Sequence, residues 1–411
     1  METRVSRLGQ GPGLAWKRNT SSFPPGSLAE LQEWTGGKTE PVVPPWHDEL
    51  TFQQWNTIGW AITDDGVLCI KPWKGSAGET GPVTNYTGAP WYDQRSKIRK
   101  IESTGTIVLN ENSAYLFYWC SNLTDITTTL EDWDVSEVTN MSGMFYGCSS
   151  LTNLTPLANW DVSNVTSMYY MFAGCSSLRD LNALANWEVS SVESMGNMFD
   201  GCSNLTDLSP LAVWDVSNVA NMSGMFYGCS NLTDLSALTN WDVSKVTNTS
   251  GMFYGCSSLT DLSALTNWRA YNVTDMRGMF YGCSNLTDLD ALKYWEVSSV
   301  TSMGGMFQNC SSLTDLSALA DWDVSSVTNM SRMFYGCSNL QKIGIPSIAN
   351  SGQKLVENAE AAALTTVLPS IISEDGSMGP YTWDEIYTEM TTNPGSFQEG
   401  TMWVRASEEA E

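Results

Sequence analysis

Nine cysteines punctuate the middle of this chain at nearly constant intervals. Cys120, Cys148, Cys175, Cys202, Cys229, Cys256, Cys283, Cys310 and Cys337 are separated by one step of 28 residues and then seven of 27. Eight tryptophans, Trp133, Trp160, Trp187, Trp214, Trp241, Trp268, Trp295 and Trp322, keep the same 27-residue step. A unit of this size cannot bury its own apolar face and must bury it against its neighbours, so a fixed period makes the chain a solenoid. The repeat also changes what length means. A chain of 411 residues would ordinarily suggest two or three domains, but here length counts coils.

One unit, Cys229 to Gly255, reads C-S-N-L-T-D-L-S-A-L-T-N-W-D-V-S-K-V-T-N-T-S-G-M-F-Y-G. Leu232, Leu235 and Leu238 repeat every third residue, the leucine-rich pattern in which a short strand joins a parallel ladder. Val138, Met141 and Phe145 are spaced by three and four, which predicts one face of a short helix or 3₁₀ turn. Glycine closes that segment at Gly147, Gly174, Gly201, Gly228, Gly255, Gly282 and Gly336, with Asn309 the one substitute. Asparagine is the residue that best tolerates the left-handed region after glycine, so the position reads as a helix C-cap with positive φ. The fold class is therefore a leucine-rich-repeat solenoid: a short parallel strand plus a short helix or 3₁₀ turn per 27-residue coil, wound right-handed. Trp214, Met225, Phe226, Cys229 and Leu235, with their equivalents one period away, form the expected core.

The repeat resembles the BspA-like leucine-rich-repeat proteins of bacterial surfaces, in the variant built from W-D-V-S-x-V-x-x-M-x-x-M-F-x-G-C units. That motif stands at Trp133–Cys148, Trp160–Cys175 and Trp214–Cys229, and continues through Trp322–Cys337, with a departure at Trp268 (W-R-A-Y-N-V). The stretch from Trp60 to Ile101 is similar to the cap that opens such arrays. The resemblance implies an adhesive or partner-binding surface at the cell surface or secreted, with no catalytic residues to carry over. Neither an export signal nor a wall anchor is read in this chain.

The expected organisation is a Pro/Trp-rich arm over 1–54, an N-terminal cap over 55–119, the solenoid over 120–340 and a C-terminal capping or docking region over 341–411. Within the last, Lys354–Leu368 and Trp383–Met390 read as helices and Met402–Val404 as a strand.

Composition narrows the function. Twenty Lys and Arg against 45 Asp and Glu give a net charge of −25, which repels nucleic-acid phosphates and argues against nucleic acid as a partner. No apolar run is long enough for a transmembrane helix. The single histidine, His47, excludes mechanisms that need two imidazoles. The cysteine column lacks the close spacing of a zinc site and reads as a row of small buried thiols, all ten cysteines being expected free.

Two acidic columns recur, one from Asp180 to Asp315 and one following the tryptophans, from Asp134 through Asp215 to Asp323, broken by Arg269. They read as a solvated face or as acceptors of turn hydrogen bonds, with calcium bridging the weaker alternative. No other cofactor is expected. Tyr146, Tyr227, Tyr254, Tyr281 and Tyr335 share one position, elsewhere Ala173, Asp200 and Gln308. A column that accepts Asp and Gln is at least partly exposed, so these tyrosines either contact a partner or merely cover the coil edge.

Every acidic pair recurs in each coil, whereas active sites are unique, so the chain reads as a non-enzymatic binding protein. The partner expected is an extracellular protein or glycan. The alternative is a structural or receptor-binding component of a phage-like particle, located in the virion, which a chain starting at Met1 without a signal and ending in non-repeat flanks would suit.

Overall fold

The period of 27 fixes where each coil must begin again, and the hydrogen bonds show what closes it. The computed structural model describes residues 50–344, apart from 76, 127 and 320, together with 371–373 and 402–405. Residues 1–49 of the Pro/Trp-rich arm and both C-terminal helices inferred from sequence lie outside the described residues, while the end of the arm, expected to be extended linker, enters the first strand at Gln53.

The first described segment is a small sheet. Strands β1 (Gln53–Trp55), β2 (Ile58–Ile62) and β3 (Val67–Pro72) pair antiparallel in sequence. A parallel pair, β4 (Ala77–Glu79) and β6 (Thr106–Val108), lies in a second sheet, while β5 (Lys100–Ser103) adds parallel to β3. This segment starts the core. Trp91 is buried, stacks on Phe117 at 6.0 Å and donates its indole N–H to the Leu116 carbonyl at 2.9 Å. From Phe117 a phenylalanine in each coil continues the stack: Phe145, Phe172, Phe199, Phe226, Phe253, Phe280, Phe307 and Phe334. Successive rings from Phe199 to Phe280 lie 5.7–5.8 Å apart and within 10° of parallel.

The strand and the 3₁₀ turn of each coil are both present, but in exchanged places relative to the sequence reading. The leucine segment is not a strand. It forms the 3₁₀ turns Thr155–Leu157, Asn182–Leu184, Ser209–Val213, Ser236–Leu238, Ser263–Leu265, Asp290–Leu292 and Ser317–Leu319. A spacing of three is the repeat of a 3₁₀ helix, and Leu235 and Leu238 fall at the N-cap and end of one such turn, both buried, as is Leu232 just before it. Asp234 Oδ1 accepts the Ser236 N–H at 2.7 Å, a local bond that competes with a ladder.

Parallel pairing occurs instead just before the methionine, through bridges linking Asn112, Asn140, Ser167, Ser194, Asn221, Asn248, Asp275, Ser302 and Asn329 in turn. The segment expected to be helical follows this bridge as an alternating ladder. The N–H groups of Met168, Tyr170, Phe172 and Gly174 donate forward to Ser194, Gly196, Met198 and Asp200 of the next coil. Those of Met171, Ala173 and Cys175 turn back three residues to Met168, Tyr170 and Phe172. Seven of the eight donors from Met168 to Cys175 are thereby satisfied without a helix.

The alternation needs two left-handed residues per coil. One is the glycine column, with φ between 66° and 79° at Gly147 through Gly336 and 63° at Asn309. Positive φ is thus confirmed there, although it caps no helix. The other lies four residues earlier, at Tyr115, Gly143, Tyr170, Asn197, Gly224, Gly251, Gly278, Gly305 and Arg332.

The remaining columns tie coil to coil. Trp160, Trp187, Trp214, Trp241, Trp268, Trp295 and Trp322 each donate the indole N–H to a leucine carbonyl one coil back, at 2.9–3.1 Å. The divergent coil keeps this bond, and Val273 N–H still reaches the Ala270 carbonyl at 3.0 Å, so W-R-A-Y-N-V turns like its neighbours. Trp214, Met225, Phe226, Cys229 and Leu235 are all buried. Beyond the array, β7 (Lys342–Gly344) and β8 (Ile371–Ser373) flank β9 (Met402–Arg405), both antiparallel to it.

Candidate functional site: an aromatic ridge along the turns

Each coil carries one residue between the stacked phenylalanine and the left-handed position, at least partly exposed in every coil but that of Ala173. Reading along the array, these are Tyr118, Tyr146, Ala173, Asp200, Tyr227, Tyr254, Tyr281, Gln308 and Tyr335. The backbone ladder sets them in register. Tyr227 and Tyr254 stack at 4.3 Å and 9°, Tyr254 and Tyr281 at 4.1 Å and 4°. Tyr227 is 38% exposed and Tyr335 52% exposed, while Tyr146, Tyr254 and Tyr281 are half-buried. Because each ring spends its faces on its neighbours, solvent meets the edges and hydroxyls of Tyr254. Burial, and then its bond to Tyr281, push the Tyr254 phenol up from its ordinary value.

At the N-terminal end this ridge broadens into a cluster that the repeat pattern did not reveal. Tyr118 stacks on Tyr146 at 5.2 Å and on Tyr92 at 6.5 Å, and Tyr86 packs against Tyr118 at 5.5 Å. Trp119 adds a ring 6.3 Å from Tyr146; it is 48% exposed and takes φ 57° where later coils place glycine. Tyr170 meets Tyr146 edge-on at 5.5 Å and Tyr169 at 4.3 Å. Arg95 lies 3.9 Å over the Tyr92 ring. Tyr118 and Trp119 were legible as the F-Y-W-C counterpart of F-Y-G-C; Tyr86 and Tyr92 come from the non-repeat segment and belong to no column.

The acidic columns serve their own turns. Asp180, Asp207, Asp234, Asp261, Asp288 and Asp315 each accept the backbone N–H two residues on, at 2.7–2.8 Å. Asp134, Asp161, Asp215, Asp242 and Asp323 do the same at 3.0–3.1 Å. Hydrogen bonds from the serine two residues on hold the carboxyls of Asp161, Asp215 and Asp323 below their ordinary value. Among the described residues, no three His, Cys, Asp or Glu side chains converge as a metal site would require. All ten cysteines are buried thiols, and burial raises those of Cys69 and of Cys120 through Cys310. The thiol protons of Cys148 through Cys337 point to a phenylalanine carbonyl one coil back, at 3.1–3.3 Å.

Asp200 is the exception. It stands in the ridge rather than in an acidic column, and it is half-buried. Burial lifts its carboxyl from 3.8 to about 6. Two residues on, the Cys202 N–H is already given to the Phe199 carbonyl, so no turn donor reaches it.

Short 3₁₀ leucine segments, parallel bridges and a 27-residue coil with a buried, ring-stacked interior define a leucine-rich-repeat solenoid. The profile of the family described as "Mycoplasma protein of unknown function, DUF285" matches residues 111–207, 178–265 and 259–361, together more than half of the chain. The chain belongs to that family. The match and the BspA-like leucine-rich repeat read from the motif fall on the same coils. No curated protein matches the sequence.

Among solved structures, a leucine-rich repeat protein from Eubacterium ventriosum is 18% identical, with 72% of this chain and 85% of that one covered and a TM-score of 0.35. A leucine rich cell surface protein from Faecalibacterium prausnitzii is 13% identical, with 69% and 94% covered and a TM-score of 0.22. No helix among the described residues is long and apolar enough to cross a membrane.

Proposed function

We propose that the array is a non-enzymatic binding surface that engages an extracellular protein or glycan across several coils at once, on a protein carried at the cell surface or secreted. The observation that carries this reading is the aromatic ridge. Stacking stabilises the coil edge, and it also holds tyrosine edges in register as large, rigid, amphipathic contacts at low entropic cost, which is what a recognition surface needs. Repetition adds the rest, because the same contact offered once per coil sums through multivalency. The BspA-like resemblance supports the same role.

The test is the triple variant Tyr227→Ala, Tyr254→Ala, Tyr281→Ala, with adhesion to candidate cells or matrix measured after its fold is confirmed by circular dichroism. Adhesion should fall sharply. Unchanged adhesion would move recognition off the ridge.

A further inference from the structure

We propose that the break in the tyrosine ridge at Asp200 is a subsite for an organic cation, the ammonium or guanidinium group of a lysine or arginine side chain or of a free amine. The proposal rests on reading the ridge as a recognition surface and names the chemistry it selects at one point.

Three observations meet there. The first is the shape of the column. Asp200 follows the small Ala173 and precedes Tyr227, and backbone bonds fix the spacing: Gly174 N–H to the Asp200 carbonyl at 2.6 Å, Gly201 N–H to the Tyr227 carbonyl at 2.7 Å. Ala173 is itself buried, with Tyr170 in its own turn set edge-on against Tyr146 at 5.5 Å. On the other side, Tyr227 stacks one ring face on Tyr254, and its remaining face has no ring partner in the coil of Asp200. Along the ridge the carboxylate thus stands between the small Ala173, beyond which lie Tyr146 and Tyr170, and Tyr227.

The second observation is that the charge has no partner. Among the described residues Asp200 has no side-chain hydrogen bond and no ion pair, while the aspartates of both acidic columns hold a backbone N–H. Its charge is felt instead at the hydroxyls of Tyr146 and Tyr170. A carboxylate partly withdrawn from water is costly until a cation arrives.

The third is the nature of the surroundings. A single carboxylate among aromatic rings lacks the several oxygens a calcium or magnesium ion requires. Rings flanking an acid suit a soft, weakly hydrated cation, which gains from the ring faces as well as from the charge. A net charge of −25 draws such groups toward the molecule from a distance.

The experiment is ligand-observed proton NMR on the full chain, with Nα-acetyl-lysine amide, Nα-acetyl-arginine amide and spermidine as probes and Nα,Nε-diacetyl-lysine amide as the neutral control. The charged probes should bind saturably, at a Kd on the order of 1 mM, with upfield shifts of the methylene protons beside the charge, and the neutral control should not. Asp200→Asn should weaken binding by about tenfold or more. Asp200→Tyr, which extends the run of Tyr227, Tyr254 and Tyr281 by one coil, should abolish it while the fold is kept. Asp207→Asn, in the adjacent turn, should change nothing.

Tighter binding of the amino-acid probes assigns the site to a protein side chain, and tighter binding of spermidine to a free amine. Absence of saturable shifts, or equal behaviour of the Asp200→Asn and Asp207→Asn variants, overturns the proposal. Probe binding is read without adhesion, so its failure leaves the ridge reading standing. Loss of the ridge reading in the adhesion assay would not mask a result here.

Discussion

Replacing Asp200 by asparagine should stabilise the protein at pH 8 and have almost no effect near pH 4. The carboxyl titrates at about 6 instead of 3.8 because burial disfavours its charged form. At about 1.36 kcal/mol per pH unit that displacement sets a ceiling of about 3 kcal/mol. Asp200 retains much of its contact with water, and screening reduces the figure to about 1–2 kcal/mol. The sign follows from which state holds the proton. Between about pH 4 and 6 the folded chain keeps the Asp200 proton that the unfolded chain has released, so stability falls as pH rises, and the full cost is present above 6. The titratable groups coupled to it, the phenols of Tyr146 and Tyr170 and the thiols of Cys202 and Cys229, are all raised away from this window and stay neutral throughout. Asparagine keeps the shape and removes the charge.

The assay is urea unfolding followed by tryptophan fluorescence, for both proteins at pH 8, 6 and 4.5. Taking the difference between the two at each pH cancels the titration of the other acids. A gain of the same size at pH 4.5 and pH 8, or no gain at pH 8, would refute the reasoning.

Other perturbations test the interior. Phe226→Ala should cost about 3–5 kcal/mol, because its ring is fully buried between Phe199 and Phe253. In a chain whose coils touch only their neighbours, hydrogen exchange should rise in those two coils first and leave the Trp91 region protected; a uniform rise would contradict nearest-neighbour coupling. Trp214→Phe should cost about 0.5–1.5 kcal/mol, because the Leu184 carbonyl loses its indole donor and keeps only the Trp187 N–H, a loss that equilibrium unfolding should register and Trp214→Tyr should not repair. All ten thiols should react with a thiol reagent after denaturation and none rapidly before it, since every one is buried and free. Fewer than ten in the unfolded chain would overturn the inert-thiol reading.

Much of the fold was legible because the period is strict. Spacing alone identified the units, and the exchange of Gly for Asn at Asn309 was enough to reveal a left-handed position. The assignment of strand and turn within the unit failed for a definable reason. Leucines three apart suit a 3₁₀ turn as well as they suit a leucine-rich strand, and only the Asp–Ser bonds around Asp234 and Asp261 decide between them. The second left-handed column was hidden because the residues at it vary. Tyr115, Tyr170, Asn197 and Arg332 adopt the same φ as the glycines there, so the inter-coil ladder imposes the conformation and the side chain merely tolerates it. The wide end of the ridge was hidden because half of it comes from Tyr86 and Tyr92, which no period can reach. Asp200 looked in the sequence like evidence of an exposed column; its lack of a donor is visible only once the coils are stacked.

The forward-pointing ladder has a consequence for how such a gene can change. What one coil presents to the next is what the next presents to its successor. Excision of residues 229–255 would join Gly228 to Cys256 and offer the Phe226 N–H the Met279 carbonyl, where it now finds that of Met252. The chemistry of the joint is the same on either side of the event. An insertion of 27 residues into a globular domain has to find a place of its own, but a duplicated coil inherits one ready-made. Loss or duplication of a 27-residue unit can therefore shorten or lengthen this protein in whole turns while both ends and the rule of assembly stay fixed.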